Sequence, residues 1–217
     1  MVTMETKTPR APAVYFTAKG QATRQRITEV AARLMFERGV AGTSLEDVFA
    51  EAGVSSSQIY HYFGDKHGLI RAVVQFQAKA ALLCTDPLAS TLDSFEALRA
   101  WARFHVEVQI ERHCVGGCAF GSLVSQVTEI EPDTQADFSE GFQTWQGTIA
   151  SGLAAMRDRG DLPATADPND LAVSLFAALQ GGLIMTQAQR NPRLLEIALD
   201  TALNHIESLA QRTPELA

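Results

Sequence analysis

The chain has 217 residues, 46 % hydrophobic and 20 % charged, with a formal net charge of −7. That length suffices for one or two domains with a core that needs neither disulfides nor metal, and the composition excludes wholesale disorder. No window approaches 18 consecutive apolar residues, and Met1 to Ala18 lack the apolar stretch of a secretory signal, so a membrane span or exported chain is not expected.

In chain order, Met1 to Phe16 carry Pro9 and Pro12 with no apolar period and read as a flexible arm, residues 1–18 in all. From Gln21 the pattern turns helical: Ile27, Val30, Ala31, Leu34 and Met35 form one stripe, closed at Gly39. Thr43 stands three residues before Glu46, a capping box for a short helix through Leu45, Val48, Phe49 and Ala52. Ser55 and Gln58 repeat that spacing and open a third helix, which Gly64 ends. Asp65 caps a fourth, carrying Leu69, Ile70, Val73, Val74 and Phe76. Further helices are expected near 92–112, 118–129, 134–159, 168–189 and 193–211. The joints are punctuated by Gly116-Gly117, Glu131-Pro132, Gly160 to Pro163, Asp167-Pro168 and Asn191-Pro192. Sustained two-residue alternation is missing, so the predicted fold class is all-α with about nine helices.

The segment 43–66 is the informative one. Two short helices flank Ala52-Gly53-Val54-Ser55, a turn of the helix-turn-helix type. The second helix, 56–63, mixes Ser56, Ser57, Gln58, Tyr60, His61 and Tyr62. An element of that size fits a DNA major groove, and those side chains reach bases and phosphates. The same pattern also suits a short connecting helix with a wet face. Lys19, Arg24 and Arg26 before it and Lys66 after it add positive charge. Residues 1–79 hold ten Lys/Arg against seven Asp/Glu, whereas 80–217 hold eight against eighteen. Only the first third is therefore suited to meet a polyanion.

The run Gly39-x-x-Gly42-Thr43-Ser44-Leu45-x-Asp47-Val48, then Ala52-Gly53-Val54-Ser55, then Ile59-Tyr60-His61-Tyr62-Phe63-Gly64-Asp65-Lys66 resembles the DNA-binding signature of the TetR family of transcriptional repressors, over about residues 19–75. The resemblance implies a DNA-binding head, 19–66, and a ligand-binding, dimerising body, 67–217. It further implies a cytoplasmic repressor with no cofactor that leaves a double-stranded operator when a small molecule binds and tilts the fourth helix. Carried over, Thr43, with Ser44 beside it, and Tyr62 would contact phosphates. Lys66 would do so at the start of the fourth helix. Ser55, Ser56, Ser57, Gln58, Tyr60 and His61 would meet bases and backbone. Ser56 and Ser57 depart from the Lys and Gly common there, which should flatten the salt dependence by about one unit. Lys19, with Lys7 and Arg10 of the arm, would compensate by reaching toward the minor groove.

In the body, Leu195, Leu199, Ala202, Ile206 and Leu209 form a heptad-like seam. Leu171, Leu175, Leu179 and Leu183 line one side of the preceding helix. These rows predict a four-helix homodimer interface, with an internal core as the other reading. Gly117-Cys118-x-x-Gly121-Ser122-Leu123, Trp145 and Ala178-Leu179-Gln180-Gly181-Gly182 are similar to a subgroup with multidrug or small aromatic effectors. Trp101, Phe104, Cys118, Phe120, Phe142, Trp145 and Phe176 would line an apolar pocket whose few polar groups are His105, Gln109, Gln143 and Gln180. Singly, each aromatic also suits ordinary packing.

Other chemistry is set aside. Cys84, Cys114 and Cys118 are an odd number that suits a reducing cytoplasm. Cys114 and Cys118 follow His113, but no second ligand pair stands at metal spacing, so no metal is expected. His105, Glu107 and Glu111 on one helix leave an alternative: a helical enzyme or adaptor that keeps the head as a scaffold.

Overall fold

The caps that open and close each helix fix the architecture, and they are mostly visible in the computed structural model, which describes residues 16–89, 92–128 and 132–211. Lys7 and Arg10 of the expected arm, Glu131 of one expected joint and the Cys84 side chain lie outside what is described. Thr17 opens α1 (Ala18–Arg38) by accepting the Gly20 N–H at 3.2 Å, three residues before the expected start. α2 (Leu45–Ala52) is capped by Ser44, not by Thr43. The box partner is Asp47, whose N–H donates to Ser44 Oγ at 3.1 Å while its carboxylate accepts the Ser44 N–H at 2.9 Å. The expected Thr43–Glu46 box is thus one residue out of register, since two hydroxyl residues in a row each stand three before an acid. Gly53, at φ 62, makes the left-handed exit that a side chain would resist. α3 (Ser56–Phe63) begins with the expected Ser55–Gln58 box and ends at Gly64.

α4 (Lys66–Ala89) runs out of the head. It is followed by α5 (Phe95–Glu111), α6 (Gly121–Val127), a 3-10 turn at Pro132–Thr134, α7 (Gln135–Arg159), α8 (Pro168–Gln189) and α9 (Arg193–Gln211). The described residues therefore form nine α-helices and no strand, as the periodicity predicted.

Two apolar clusters divide the interior. The first gathers Ile27, Leu34 and Met35 of α1, Val48 of α2, Ile59 of α3 and Leu69, Val73 and Val74 of α4. Phe120, Leu123 and Val127 around α6 and Phe138 of α7 belong to it as well. The head's core thus extends beyond the expected boundary at residue 66, and α4 and α6 join head to body. The second cluster packs α5, α7, α8 and α9 around Trp101, Ile149, Leu153 and Met156. Arg99 ties α5 to α9 through Glu207 and Asp200, both at 2.9 Å.

The leucine rows expected at a subunit interface are taken up by this second core. Leu171, Leu175, Leu179, Leu183, Leu195, Leu199 and Ile206 are at most 8 % exposed, and Ala202 packs against them. A 3.6-residue period marks an apolar face without saying what covers it, and here α8 and α9 cover each other. α8 is long and apolar enough to cross a bilayer, because it is apolar on a second side too. Val173, Ile184 and Met185 are exposed on α8, as is Ile197 on α9.

Candidate nucleic-acid interface and apolar pocket

α3 is held from below and open above. Ile59, 1 % exposed, and Phe63 are driven into the head's core, so Ser56, Ser57, Gln58, Tyr60 and His61 on the other side stand in solvent. Capping at both ends satisfies the backbone of a helix too short to persist alone. Tyr62 is half-buried, its ring edge-on to Phe16 at 5.1 Å and to His61 at 5.1 Å, an aromatic brace between α3 and the start of α1. Arg24 of α1 lies over the Phe63 ring, 5.2 Å from its centre. Lys19, in the first turn of α1, is exposed. Lys66 is half-buried and donates from Nζ to the Val40 carbonyl at 3.3 Å.

Several expected contact residues besides Lys66 have prior engagements, Ser55 and Ser57 among them through a 2.9 Å bond between their hydroxyls. Thr43 is 1 % exposed and its Oγ1 donates to the Gly39 carbonyl at 2.9 Å, so it shapes the turn and does not present a hydroxyl to a phosphate. Ser44 donates from Oγ to Asp47 Oδ2 at 2.6 Å. Those bonds, with Arg38 nearby, hold the Asp47 carboxyl below its usual range. Gln58 Oε1 accepts the Ser55 N–H at 3.0 Å, and the Ser55 hydroxyl adds a bond at 3.3 Å. With its oxygen so used, Gln58 has its amide N–H groups left for a base.

The body brings the expected aromatic set together. Ring contacts run from Trp101 to His105 at 4.7 Å, His105 to Trp145 at 6.3 Å and Trp145 to Phe176 at 5.0 Å. They continue from Phe176 to Phe142 at 5.5 Å and from Phe142 to Phe120 at 4.9 Å. Beside this chain lies a cavity of about 290 Å³, at the small end of ligand pockets. Phe104, His105, Cys118, Phe120 and Trp145 line it, as does Leu183, expected instead at a subunit interface. Phe142 and Phe176 stand behind its wall. Gln180 donates to Cys118 Sγ at 3.7 Å. Burial raises the Cys118 thiol above its ordinary range, which keeps it protonated. Gln143, by contrast, faces solvent and donates to Ser139 Oγ at 3.0 Å.

Sequence reasoning missed Gln77, Val108 and Arg112, which also line the cavity. Gln77 and Val108 carry no periodic signal that separates a cavity wall from packing. Glu107 and Glu111 are exposed while His105 points inward, so the three do not converge on an acid–base site. Among the described residues no three His, Cys, Asp or Glu side chains gather as a metal cluster.

Cavity and head are linked by short paths. α6 begins beside Cys118, and from its last turn Gln126 Oε1 accepts the Val40 N–H at 2.9 Å. The chain between Cys114 and Gly117 has positive φ at Cys114, Gly116 and Gly117. A Cβ on Gly116 would meet the Phe36 ring of α1 at 2.2 Å, so this loop lies directly on the head.

Comparison with known proteins agrees with this geometry. Residues 27–73 match the family described as bacterial regulatory proteins, tetR family, and residues 94–202 match the tetracyclin repressor-like C-terminal domain. The HTH-type transcriptional repressor DhaR of Mycobacterium sp. (strain GP1) is 22 % identical over 196 residues, 88 % of this chain and 97 % of its own. The HTH-type transcriptional regulator TtgR of Pseudomonas putida is 29 % identical over 176 residues, 75 % of this chain and 79 % of its own. A TetR-family regulator from Cytophaga hutchinsonii has the same fold, with a TM-score of 0.74 at 18 % identity, covering 90 % of this chain and 98 % of that one. The regulatory protein TetR from Rhodobacter sphaeroides gives 0.73 at 21 % identity, covering 84 % and 98 %. The family and these relatives are regulators of transcription, not enzymes. With its head and body matched in turn, this chain belongs to the TetR family of bacterial transcriptional regulators.

Proposed function

We propose that the chain is a cytoplasmic repressor that binds a palindromic DNA operator as a homodimer and is released by a small, largely apolar effector. The observation that carries this reading is α3, anchored by Ile59 and Phe63 and presenting Ser56, Ser57, Gln58, Tyr60 and His61 outward. The head is residues 19–66 and the body 67–217, with α4 shared in packing. Lys19, Tyr62 and Lys66 contact phosphates, and Gln58, Tyr60 and His61 meet base edges.

The dimer forms through the exposed side of α8 and α9, at Val173, Ile184, Met185 and Ile197, in place of the leucine rows buried beneath. Two heads then meet successive major grooves of a two-fold site. The effector enters the cavity between α5 and the Cys118 loop. Release follows from its different affinity for the DNA-bound and free arrangements, carried through α4, α6 and the Gly116–Phe36 contact.

The test is a duplex-shift titration with DNA from the protein's own promoter region. A shift that weakens with added salt, with one dimer per palindrome, supports the reading. Failure to bind that DNA at low salt, or a substrate turned over in its place, overturns it.

A further inference from the structure

Two adjacent polar groups in the cavity have no partner. His105 and Gln109 sit one turn apart on α5 and both line the cavity, and His105 Nε2 and Gln109 Oε1 are buried without a hydrogen bond. Gln109 as a whole is 3 % exposed. Trp101 Nε1, on the ring that meets His105 edge-on, is a third such atom behind them. Buried polar groups left unpaired are costly, so a ligand that pairs them gains what the empty cavity forgoes.

The required chemistry follows from the atoms. Gln109 Oε1 only accepts, so the ligand must carry a polar hydrogen; a ketone, ether or hydrocarbon has none to give. Burial lowers His105 to about 4, so the imidazole is neutral and offers no charge to an anion. Among the described residues no Asp or Glu lines the cavity to pair a cation, and Arg112, which also lines it, is exposed to solvent. The rest of the wall is mainly aromatic and aliphatic, with Phe104, Val108, Phe120, Trp145 and Leu183, and adds the Gln77 amide and the Cys118 thiol.

Resting on the effector-pocket reading above, we propose that this cavity takes an uncharged compound of one or two rings bearing a hydroxyl. The hydroxyl hydrogen goes to Gln109 Oε1, its oxygen pairs with His105 Nε2, and the ring lies among the aromatic side chains. Calorimetric titration of the full-length protein with 4-propylphenol, propylbenzene and 4-propylbenzoate tests it. Quenching of Trp101 and Trp145, the two tryptophans of the chain, provides a second readout.

The phenol binds about tenfold to a hundredfold tighter than the hydrocarbon, and the carboxylate binds weakest. Gln109→Leu with His105→Phe abolishes the preference for the phenol, whereas His105→Gln retains it. Thermal unfolding without ligand shows whether each variant is folded, and Gln109→Leu alone carries the test if the double variant is not. Equal binding of phenol and hydrocarbon, tightest binding of the carboxylate, no binding of any of the three, or a preference that survives in the folded Gln109→Leu/His105→Phe or Gln109→Leu variant overturns the proposal. DNA plays no part in that titration. A phenol that binds as described yet leaves DNA affinity unchanged refutes effector release and leaves the pocket chemistry standing.

Discussion

His105 shows how one residue couples the pocket to stability. Its ordinary value is 6.5 and burial lowers it to about 4 in the fold. Between those values the unfolded chain holds a proton that the folded chain does not, so stability falls as pH drops from 6.5 toward 4 and is unaffected by this group above 6.5. The shift corresponds to about 3 kcal/mol at the acid end. Urea unfolding of wild type and His105→Gln across that range should show the wild type losing more, by about that amount; parallel profiles would refute a neutral buried imidazole. On the α3 face, Tyr62→Ala removes the brace to Phe16 and the proposed phosphate contact and should weaken DNA binding to every sequence alike. Gln58→Ala should change base preference by about 1–3 kcal/mol at one position. Since Gln58 Oε1 serves the Ser55 cap, that preference should be for bases presenting acceptors. Equal weakening on all operator variants would remove Gln58 from base reading. The sequence made Gln58 and its cap legible through the Ser-x-x-Gln spacing, but not that both roles compete for one oxygen. Thr43 was misplaced for a related reason: adjacent hydroxyls look alike in sequence, and only the turn decides which is buried.

At the scale of elements, α6 is the short strut whose importance depends on its neighbours. It has seven residues, begins at the cavity and ends on the α1–α2 loop through Gln126 and Val40. Gln126→Ala leaves the Val40 N–H without that partner, at a cost of about 1 kcal/mol. It should reduce by about fivefold the ratio of DNA affinities measured without and with effector, in paired duplex-shift titrations. An unchanged ratio would place the coupling elsewhere, in α4 alone. The helices themselves were legible because caps and glycine stops are local chemistry: Ser55, Gly64 and the Asp167-Pro168 start all do in the structure what their spacing announced. Contacts such as Gln126 with Val40, 86 residues apart, have no such local signature.

For the whole molecule, the proposed homodimer needs an apolar surface that the protomer leaves bare. Ile184 is 68 % exposed and Ile197 49 %, whereas Leu175 is fully buried in the protomer. Ile184→Glu should therefore yield a folded monomer by analytical ultracentrifugation, with DNA binding much weakened because one head then reads one half-site. Leu175→Ala should instead lower unfolding stability by about 2–5 kcal/mol while leaving any folded protein dimeric. A dimer that survives Ile184→Glu and Ile197→Glu together would place the interface on another face. The charge division suits the same arrangement: the basic third carries α3, and the acidic remainder would be repelled by a polyanion.

While α5 and α6 came out shorter than their expected 92–112 and 118–129, sequence alone determined the all-α class, the ends of α3, α8 and α9 and the exposed polar face of α3. Each of these depends on interactions within a few residues: a side chain capping a nearby amide, a glycine adopting positive φ, apolar positions recurring every turn. Tertiary structure decided which apolar face is core and which is left bare, and that Leu183 borders a cavity. It also decided that His105 and Gln109, in the cavity wall, each bury an atom without a hydrogen-bond partner. Those outcomes depend on which distant helices pack together, and a helical period records that a face is apolar without recording its neighbour.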